Sequence, residues 1–325
     1  MSVISRSSGA GSVAVRACVS GGRIPGLGEA PAFTLTTPPR MSLPVLVAVP
    51  HAGRSYPDST LARMRDPSLA QLRLEDRHVD RLGVALARET GAALLIAHAP
   101  RALLDINRAE DDMDWDMVQG GRPFGLPSSA PGACSNARAR SGLGLVPRRL
   151  PGSGEIWRGR LAPDELAARI DGIHRAYHAA LAAALTQICN EWGAALLIDL
   201  HSMPPLRPPE GEARAPVFVL GDRFGASCHN GLTSRALTHL ERRDIPAAHN
   251  RPYAGGYVLD RHGKPLAGIH AMQIEVCRAT YLDRHMSEPG PGLPGVAATL
   301  AGLVRELGAE TALLGGHDGL RQAAE

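Results

Sequence analysis

Two histidines, far apart in the chain, each follow a short apolar run. His51 comes after Val45–Val49 and Pro50, and His201 comes directly after the run at 194–200. Such runs are typical of buried parallel strands, and residues just past the carboxyl ends of these strands face the crevice where open α/β sheets bind ligands. Two imidazoles there can ligate a metal ion that catalyses hydrolysis. The alternative is that both are ordinary polar residues of loops.

A hydrolytic zinc ion needs a third protein ligand, and two aspartates are candidates. Asp76 and Asp80 stand at the start of a predicted helix over 76–90, at a spacing that puts both on one face. Either carboxylate can complete the site, and the other would then orient one of the metal ligands through a hydrogen bond. The alternatives are a helix N-cap for Asp76 and, for Asp80, a surface ion pair with a neighbouring arginine.

An acidic residue interrupts the apolar pattern of a predicted strand over 270–276. Glu275 lies on the face opposite to the apolar residues beside it, so it faces either solvent or a site. Burial near a metal would raise its pKa enough for proton transfer. We therefore predict that Glu275 is a catalytic carboxylate, with an exposed strand glutamate as the alternative.

Three further polar residues have types suited to holding a carboxylate. Asn107 and Arg108 follow the apolar run at 102–106, a predicted strand, and an amide beside a guanidinium can grip a carboxylate. Tyr253 lies in a Pro- and Gly-containing loop at 250–257, from which its hydroxyl can reach a ligand. The alternatives are a solvent-exposed arginine and a hairpin turn without chemistry.

The elements that must position these residues alternate between strands and helices. This alternation predicts an α/β fold of three layers, with a mostly parallel mixed sheet between two layers of helices. The predicted strands lie at 33–36, 45–49, 92–97, 102–106, 194–200, 217–220, 258–259 and 270–276, and the predicted helices at 76–90, 163–192, 232–242 and 297–307.

No linker or internal repeat divides the 325 residues, so we predict a single domain over 32–312. Residues 1–31 are rich in Ser, Gly and Ala, which predicts a disordered tail, and 313–325 are predicted to form a frayed C-terminal tail. The segment 117–154 is rich in Gly, Pro, Arg and Ser, which favours a loop that covers a substrate.

Composition and motifs argue against several classes of protein. The net charge of +3 and the scattered arginines argue against a nucleic-acid partner, and no apolar run is long enough for a membrane span. The five cysteines lack CxxC spacing, which suits reduced thiols and a cytoplasmic location. The chain has no P-loop, no GxGxxG after its first strand and no GxSxG of a serine nucleophile. The expected partner is a small-molecule substrate, and the oligomeric state stays open.

Taken in order, the polar motifs resemble those of the N-formylglutamate amidohydrolase family. Each motif is short, but eight in the same order over residues 32 to 286 make the resemblance specific. They are VPHAGRSYP at 49–57, EDRHVDRL at 75–82, LDINR at 104–108, GLG at 142–144 with PR at 147–148, IDLHSMP at 198–204, LGDRFG at 220–225, NRPYAGGY at 250–257, and QIE at 273–275 with Arg278.

The resemblance implies an α/β fold like that of the zinc carboxypeptidases and metal-dependent hydrolysis of an amide. It implies that His51 and His201 ligate one zinc ion per chain. The HxxE ligand pair of the carboxypeptidases is absent, because Arg54 stands three residues after His51. The third ligand therefore stays open between Asp76 and Asp80.

The resulting hypothesis is a zinc-dependent amidohydrolase of histidine degradation that cleaves a small N-acyl amino acid, with N-formyl-L-glutamate as the expected substrate. The resemblance implies that Glu275 is the catalytic carboxylate and that Asn107 and Arg108 bind a substrate carboxylate. Arg278, or an arginine from 138–149, would hold the second carboxylate. The alternatives are a related zinc deacylase or peptidase with another acyl group, and a non-catalytic protein that binds acidic amino acids.

Overall fold

The computed structural model describes residues 16–122, 137–211 and 213–316. Its strands are β1 Ala17–Gly21, β2 Phe33–Thr37, β3 Val45–Val49, β4 Ala93–Ala97, β5 Arg149–Leu150, β6 Gly154–Glu155, β7 Ala195–Met203, β8 Phe218–Gly221, β9 Ala247–His249 and β10 Ile269–Cys277. Its α-helices are α1 Asp58–Arg63, α2 Pro67–Leu74, α3 Val79–Thr90, α4 Ala137–Arg140, α5 Pro163–Arg169, α6 Ala176–Trp192, α7 Asn230–Glu241, α8 Tyr257–His262 and α9 Leu293–Leu314. A π-helix, Ile170–Arg175, joins α5 to α6.

Eight strands form one mixed sheet in the order β1-β2-β4-β3-β7-β10-β8-β9, and β5 and β6 form a separate hairpin. The central strands β4, β3, β7 and β10 are mutually parallel, as are β8 and β9. The pairs β1–β2, β2–β4 and β8–β10 are antiparallel. The predicted α/β fold with a mostly parallel mixed sheet is confirmed.

Helices cover both faces of this sheet. On β3, Leu46 and Ala48 pack into one apolar cluster with residues of α5 and α6. The alternate residues Val45, Val47 and Val49 pack into a second cluster with residues of α3, α7 and α9. Burial on both faces explains why the central strands are continuous apolar runs without polar alternation.

The parallel strands carry the candidate polar residues to one edge of the sheet. His51 lies just past the end of β3, whereas His201 lies within β7, which runs to Met203 and not only to residue 200. Glu275 on β10 is the register partner of His201 on β7. Two residues from distant parts of the sequence therefore lie side by side because the sheet pairs them.

Two of the predicted strands are wrong. The run at 102–106 forms turns, in which Leu103 N–H donates to the Pro100 carbonyl at 2.9 Å and Asp105 N–H donates to the Leu145 carbonyl at 2.7 Å. Its apolar residues are buried in the core although they belong to a loop, so their hydrophobicity does not indicate a strand. The pair at 258–259 belongs to α8, and a two-residue run is too short to distinguish a helix from a strand.

Two predicted boundaries also move. Helix α3 begins at Val79, not at residue 76, because His78 is its left-handed N-cap with φ 58°. The N-terminal tail was predicted too long, since β1 lies at 17–21 and pairs antiparallel with β2. As an exposed edge strand, β1 lacks the apolar pattern that would identify it in the sequence. Residues 1–15 and 317–325 lie outside the described part of the chain.

The segment 117–154 is only partly described, since residues 123–136 are not. Beyond that gap, Leu145 and Val146 are buried in the core, and β5 pairs with β6. The role of a substrate-covering loop stays a prediction. Among the helices of the described ranges, none has the length and apolar character needed to cross a membrane.

Candidate metal centre and active site

Three polar side chains converge at the carboxyl edge of the sheet. His51, Asp76 and His201 are all nearly fully buried, and one potential ligand atom from each lies within 4.8 Å of the others. Asp76 reaches this position from the loop before α3, where its N–H donates to the carbonyl of His51 at 2.9 Å. The backbone bond fixes the loop against the end of β3 and points the carboxylate at both imidazoles.

Each of the two histidines is held from behind by a buried carboxylate. His51 Nε2 lies 2.7 Å from Asp105 Oδ1, and His201 Nε2 lies 2.9 Å from Asp199 Oδ2. A carboxylate there accepts the Nε2 proton, which leaves the Nδ1 lone pair of each neutral ring to bind a cation. His201 Nδ1 lies 3.1 Å from Asp76 Oδ2.

The geometry fits a metal ion. His51 Nδ1 is buried, lies 3.7 Å from Asp76 Oδ2 and has no hydrogen-bond partner within the described residues. A buried, unsatisfied imidazole nitrogen is costly unless something binds its lone pair. The Nδ1 atoms of His51 and His201 and a carboxylate oxygen of Asp76 are of the ligand types that a catalytic zinc ion takes.

The electrostatic field of the centre stabilises positive charge. Burial alone would lower the pKa of His201, but the carboxylates of Asp199, Asp76 and Glu275 raise it well above its usual range. Burial would likewise raise the pKa of Asp76, yet its hydrogen bond with His201 and its electrostatic interactions with both histidines hold it well below the usual range. A cation among these groups is therefore favoured.

Asp80, the other predicted candidate for the third ligand, lies outside this cluster. Its Oδ2 accepts from Arg54 Nη2 at 3.1 Å, so it forms an ion pair, although not with a neighbour in sequence. The prediction assumed that one helix carries both aspartates. Because α3 begins only at Val79, Asp76 precedes the helix and the two carboxylates do not share a helical face.

Glu275 lies beside the cluster and is buried, so the alternative of an exposed strand glutamate is wrong. Gln273, two residues earlier on the same face of β10, donates from Nε2 to Glu275 Oε1 at 2.9 Å. Burial raises the pKa of Glu275 to about 7, against the opposing charge of His201. A carboxyl with such a pKa can both accept and release a proton near neutral pH.

Arg278 is engaged within the protein. Its Nη2 donates to Asp76 Oδ1 at 3.1 Å and to the Glu75 carbonyl at 2.7 Å, and its Nε donates to Ser202 Oγ at 3.0 Å. These contacts orient the Asp76 carboxylate. They differ from the predicted role, in which Arg278 binds a substrate carboxylate.

Asn107 and Arg108 lie on a loop at 101–108, called here the 101–108 arm. Asn107 Oδ1 accepts from the N–H of Val258 at 2.9 Å, which ties the arm to α8. Arg108 Nε donates to the Leu143 carbonyl at 3.1 Å, and its Nη1 donates to the Asn107 carbonyl at 2.6 Å. The arm thus presents a fixed amide and guanidinium beside the cluster.

Arg101 and Tyr253 complete the surroundings. Arg101 Nε donates to Asp105 Oδ2 at 2.9 Å, and the charges of Asp76 and Glu275 act on its guanidinium. Tyr253 is half-buried, and burial together with the charge of Glu275 raises the pKa of its hydroxyl. Both side chains therefore lie within the electrostatic field of the site.

Two supporting carboxylates, Asp105 and Asp199, were not predicted from the sequence. Asp105 and Asp199 are fully buried, and each directly contacts one of the histidines of the cluster. The signal was present, since each aspartate interrupts an apolar run. Because a charged residue is rarely buried without a partner, an acid in such a run indicates a paired or ligand-supporting role.

Comparisons with known proteins point to one family. A family model described as N-formylglutamate amidohydrolase matches residues 43–282. The chain is 29% identical over 271 residues to N-formylglutamate deformylase of Pseudomonas aeruginosa, covering 82% of this chain and 92% of that protein. It is 29% identical over 247 residues to N-formylglutamate deformylase of Pseudomonas putida, covering 74% and 82% respectively. Among solved structures, N-formylglutamate amidohydrolase from Ralstonia eutropha JMP134 superposes with a TM-score of 0.75 at 30% identity, covering 86% of this chain and 98% of that one.

Proposed function

Because the chain belongs to the N-formylglutamate amidohydrolase family, we propose that it hydrolyses N-formyl-L-glutamate to L-glutamate and formate. The reaction would take place at a metal centre formed by His51, Asp76 and His201. One observation carries the proposal: two imidazole Nδ1 atoms and a carboxylate converge in a buried site, with each imidazole supported by a second carboxylate.

The expected cofactor is one divalent ion per chain, most simply zinc. When bound, it would supply Lewis-acid polarisation of the formyl oxygen and lower the pKa of its bound water toward ~7. Asp105 and Asp199 would keep both histidines in the tautomer that offers Nδ1. Arg278 would keep Asp76 in place from the other side.

Glu275 is the proposed general base and acid. Its carboxylate would accept a proton from the attacking water and then deliver that proton to the leaving nitrogen. A pKa of about 7 suits both halves of this transfer. Gln273 would hold Oε1 in place while Oε2 exchanges the proton.

Two arginines are proposed to hold the two carboxylates of the substrate. Arg108 with Asn107 would bind one through the guanidinium and the amide, and Tyr253 would contribute its hydroxyl. For the second substrate carboxylate, Arg148 and Arg149 are less suitable, because both already form ion pairs with Glu155.

Arg138 remains the better candidate for the second carboxylate. It is exposed, and its positive charge acts on both Arg108 and Tyr253. The positive charges of Arg108 and Arg138 together favour the binding of an anion.

The deciding experiment is formate release from N-formyl-L-glutamate by purified, zinc-loaded protein, beside a His201→Ala control. Release that disappears in the control supports both the substrate and the metal centre. No release by protein that holds zinc would direct the search to other N-acyl substrates. Absence of both zinc and turnover would favour a binding protein for acidic amino acids and contradict the proposal.

A cytoplasmic location and a place in histidine degradation are part of the same proposal. Both rest on the resemblance of the sequence motifs and on the absence of paired cysteine spacing in the sequence.

A further inference from the structure

A row of three hydrogen-bond donors on one helix faces the backbone of the 101–108 arm. Arg169 Nη1 donates to the Leu103 carbonyl at 2.8 Å, and His174 Nε2 lies 2.8 Å from the Arg108 carbonyl. His178 Nε2 lies 3.0 Å from the Ile106 carbonyl. All three side chains are at most 2% exposed, so these are buried bonds to a segment with no strand to satisfy its carbonyls. We call Arg169, His174 and His178 the donor row.

The donor row exists because the helix changes its winding. Arg169 and His174 are five residues apart, and in an α-helix this separation turns a side chain by about 140° from its predecessor. The π-helix at Ile170–Arg175 widens one turn and returns both side chains to the same face. Single π-turns inside α-helices are uncommon and often lie at functional sites.

The hydrogen bonds of His178 determine which of its ring nitrogens carries the proton. A carbonyl oxygen can only accept, so His178 Nε2 must carry the proton. In the neutral ring Nδ1 then accepts, and its partner at 2.9 Å is Nε2 of His262 on α8, which must donate. The two rings stack with centroids 5.1 Å apart and planes 20° apart. The protons of this chain therefore have one arrangement, in which His262 donates to His178 and His178 donates to the arm.

Helix α8 holds the same arm through a second contact. The N–H of Val258 donates to Asn107 Oδ1, while the ring of Tyr257 packs on His174 and His178 at centroid distances of 5.6 and 5.3 Å. The arm is consequently clamped through its carbonyls by the donor row and through its amide side chain by α8.

We infer that His174 and His178 are positioning residues that set the geometry of Asn107 and Arg108 for substrate binding. They act through the carbonyls on either side of Asn107, and within the described residues no hydrogen bond or ion pair joins them to His51, Asp76 or His201. The inference rests on the proposed function for the identity of the substrate, but the clamping of the arm is a property of the chain itself.

Burial, assisted by nearby positive charges, keeps His178 and His262 neutral. Burial lowers the pKa of His178 to about 2, helped by His174, His262 and Arg261. Burial lowers the pKa of His262 to about 3, helped by Arg261, Lys264 and His174. At neutral pH His262 therefore donates to His178, and His178 donates to the Ile106 carbonyl.

The test compares His178→Phe, which keeps a ring but removes the donor, with His178→Gln, which retains a donor. The matched control is His239→Phe, a fully buried histidine of α7 whose partner is Glu306. We expect His178→Phe to raise the KM for N-formyl-L-glutamate about tenfold, with kcat and zinc affinity changed less than about threefold. His178→Gln should recover most of the loss, and His239→Phe should leave KM unchanged.

A second measurement separates this inference from the proposed function. Amide hydrogen exchange in peptides covering 101–110 should become about tenfold faster in His178→Phe and stay unchanged in His239→Phe, whatever the substrate. Faster exchange in a chain that hydrolyses no formylglutamate would overturn the proposed function but not the clamp. Unchanged exchange, or a fall in kcat with unchanged KM, would overturn the inference.

Should His178→Phe not fold, His262→Phe provides the same test, since it leaves the donor row intact. It removes only the group that orients His178, so we expect about a threefold rise in KM and in exchange of the arm. An effect on zinc binding in place of KM would contradict a positioning role.

Discussion

The cluster of His51, Asp76 and His201 and the 101–108 arm lie side by side, yet the fold positions them by different means. The residues of the cluster are set by the sheet: His201 and Glu275 are register partners on adjacent parallel strands, and His51 follows a third. The arm has no strand. Its position depends on side chains of the helix from 163 to 192 and of α8 that bind its carbonyls and its amide.

This difference determines which kind of change each region tolerates. A sheet register is maintained by many backbone bonds, so the cluster is sensitive chiefly to replacement of its own ligands and their supports. A loop held by a few buried side-chain bonds is sensitive to residues that never meet the substrate. Changes at the cluster should therefore act on kcat and on metal affinity, and changes around the arm should act on KM.

Glu275→Gln gives the largest effect expected on the cluster side. The amide cannot accept a proton, so kcat should fall by about 10² to 10⁴, while KM and bound zinc stay close to those of the parent chain. Steady-state kinetics with zinc quantified by mass spectrometry measure this. Near-normal turnover with metal bound would remove Glu275 from the mechanism.

Asp199→Asn tests the carboxylate behind His201. It removes the acceptor that holds the imidazole tautomer, so zinc affinity should fall about 10- to 100-fold in a competition titration. Asp80→Asn is the matched control, because Asp80 pairs with Arg54 outside the cluster and its replacement should leave zinc affinity unchanged. Equal losses in both variants would indicate that net charge, not support of the ligand, decides the affinity.

Insertion of one alanine after Asp171 tests the comparison from the side of the arm. It places Arg169 and His174 six residues apart, a separation that turns one side chain from the other by about 120° in an α-helix, so the two can no longer face the arm together. We expect a rise in KM of roughly tenfold with zinc affinity retained. Asp171→Ala, which keeps the length of the helix and loses only an exposed ion pair with Arg175, should behave like the parent chain.

The histidines around the arm also predict how stability depends on pH. His178 and His262, with pKa values of about 2 and 3 in the folded chain, regain the ordinary value of 6.5 on unfolding. Between these values only the unfolded chain takes up the protons, so the free energy of unfolding falls as the pH falls below about 6.5. The stability that these two groups contribute is complete above that pH.

Replacing both histidines by glutamine should weaken this dependence. The parent chain should lose about 2 kcal/mol more than the double variant between about pH 7 and pH 5.5, as measured from denaturant midpoints. Parallel curves for the two proteins would mean that the imidazoles are not held neutral.

The central part of the site could be predicted from the sequence because it depends on strands. The runs before His51 and His201 and the run that contains Glu275 are continuous and apolar, and parallel strands bring their carboxyl ends together. The choice between Asp76 and Asp80 could not be made. It depends on where α3 begins, and the left-handed His78 that sets this start has no distinctive signature in the sequence.

The arm and its supports were the least predictable. Its apolar residues indicated a strand, although they lie in turns and loops and are buried in the core from there. The π-helix and the pairing of His178 with His262 depend on tertiary packing between segments 84 residues apart, which periodicity in a single helix does not report. For the same reason the role of Arg278 beside Asp76 was not foreseen.

Asp105 belongs to both regions. Its Oδ1 accepts from His51 Nε2 at 2.7 Å and from the N–H of Asn107 at 2.9 Å, while its Oδ2 accepts from Arg101. One oxygen atom thus contacts both a histidine of the cluster and the backbone of the arm, which gives the two sites a direct route for energetic coupling. Thermodynamic linkage requires such coupling to be reciprocal: the factor by which a bound metal changes the affinity for substrate equals the factor by which bound substrate changes the affinity for metal.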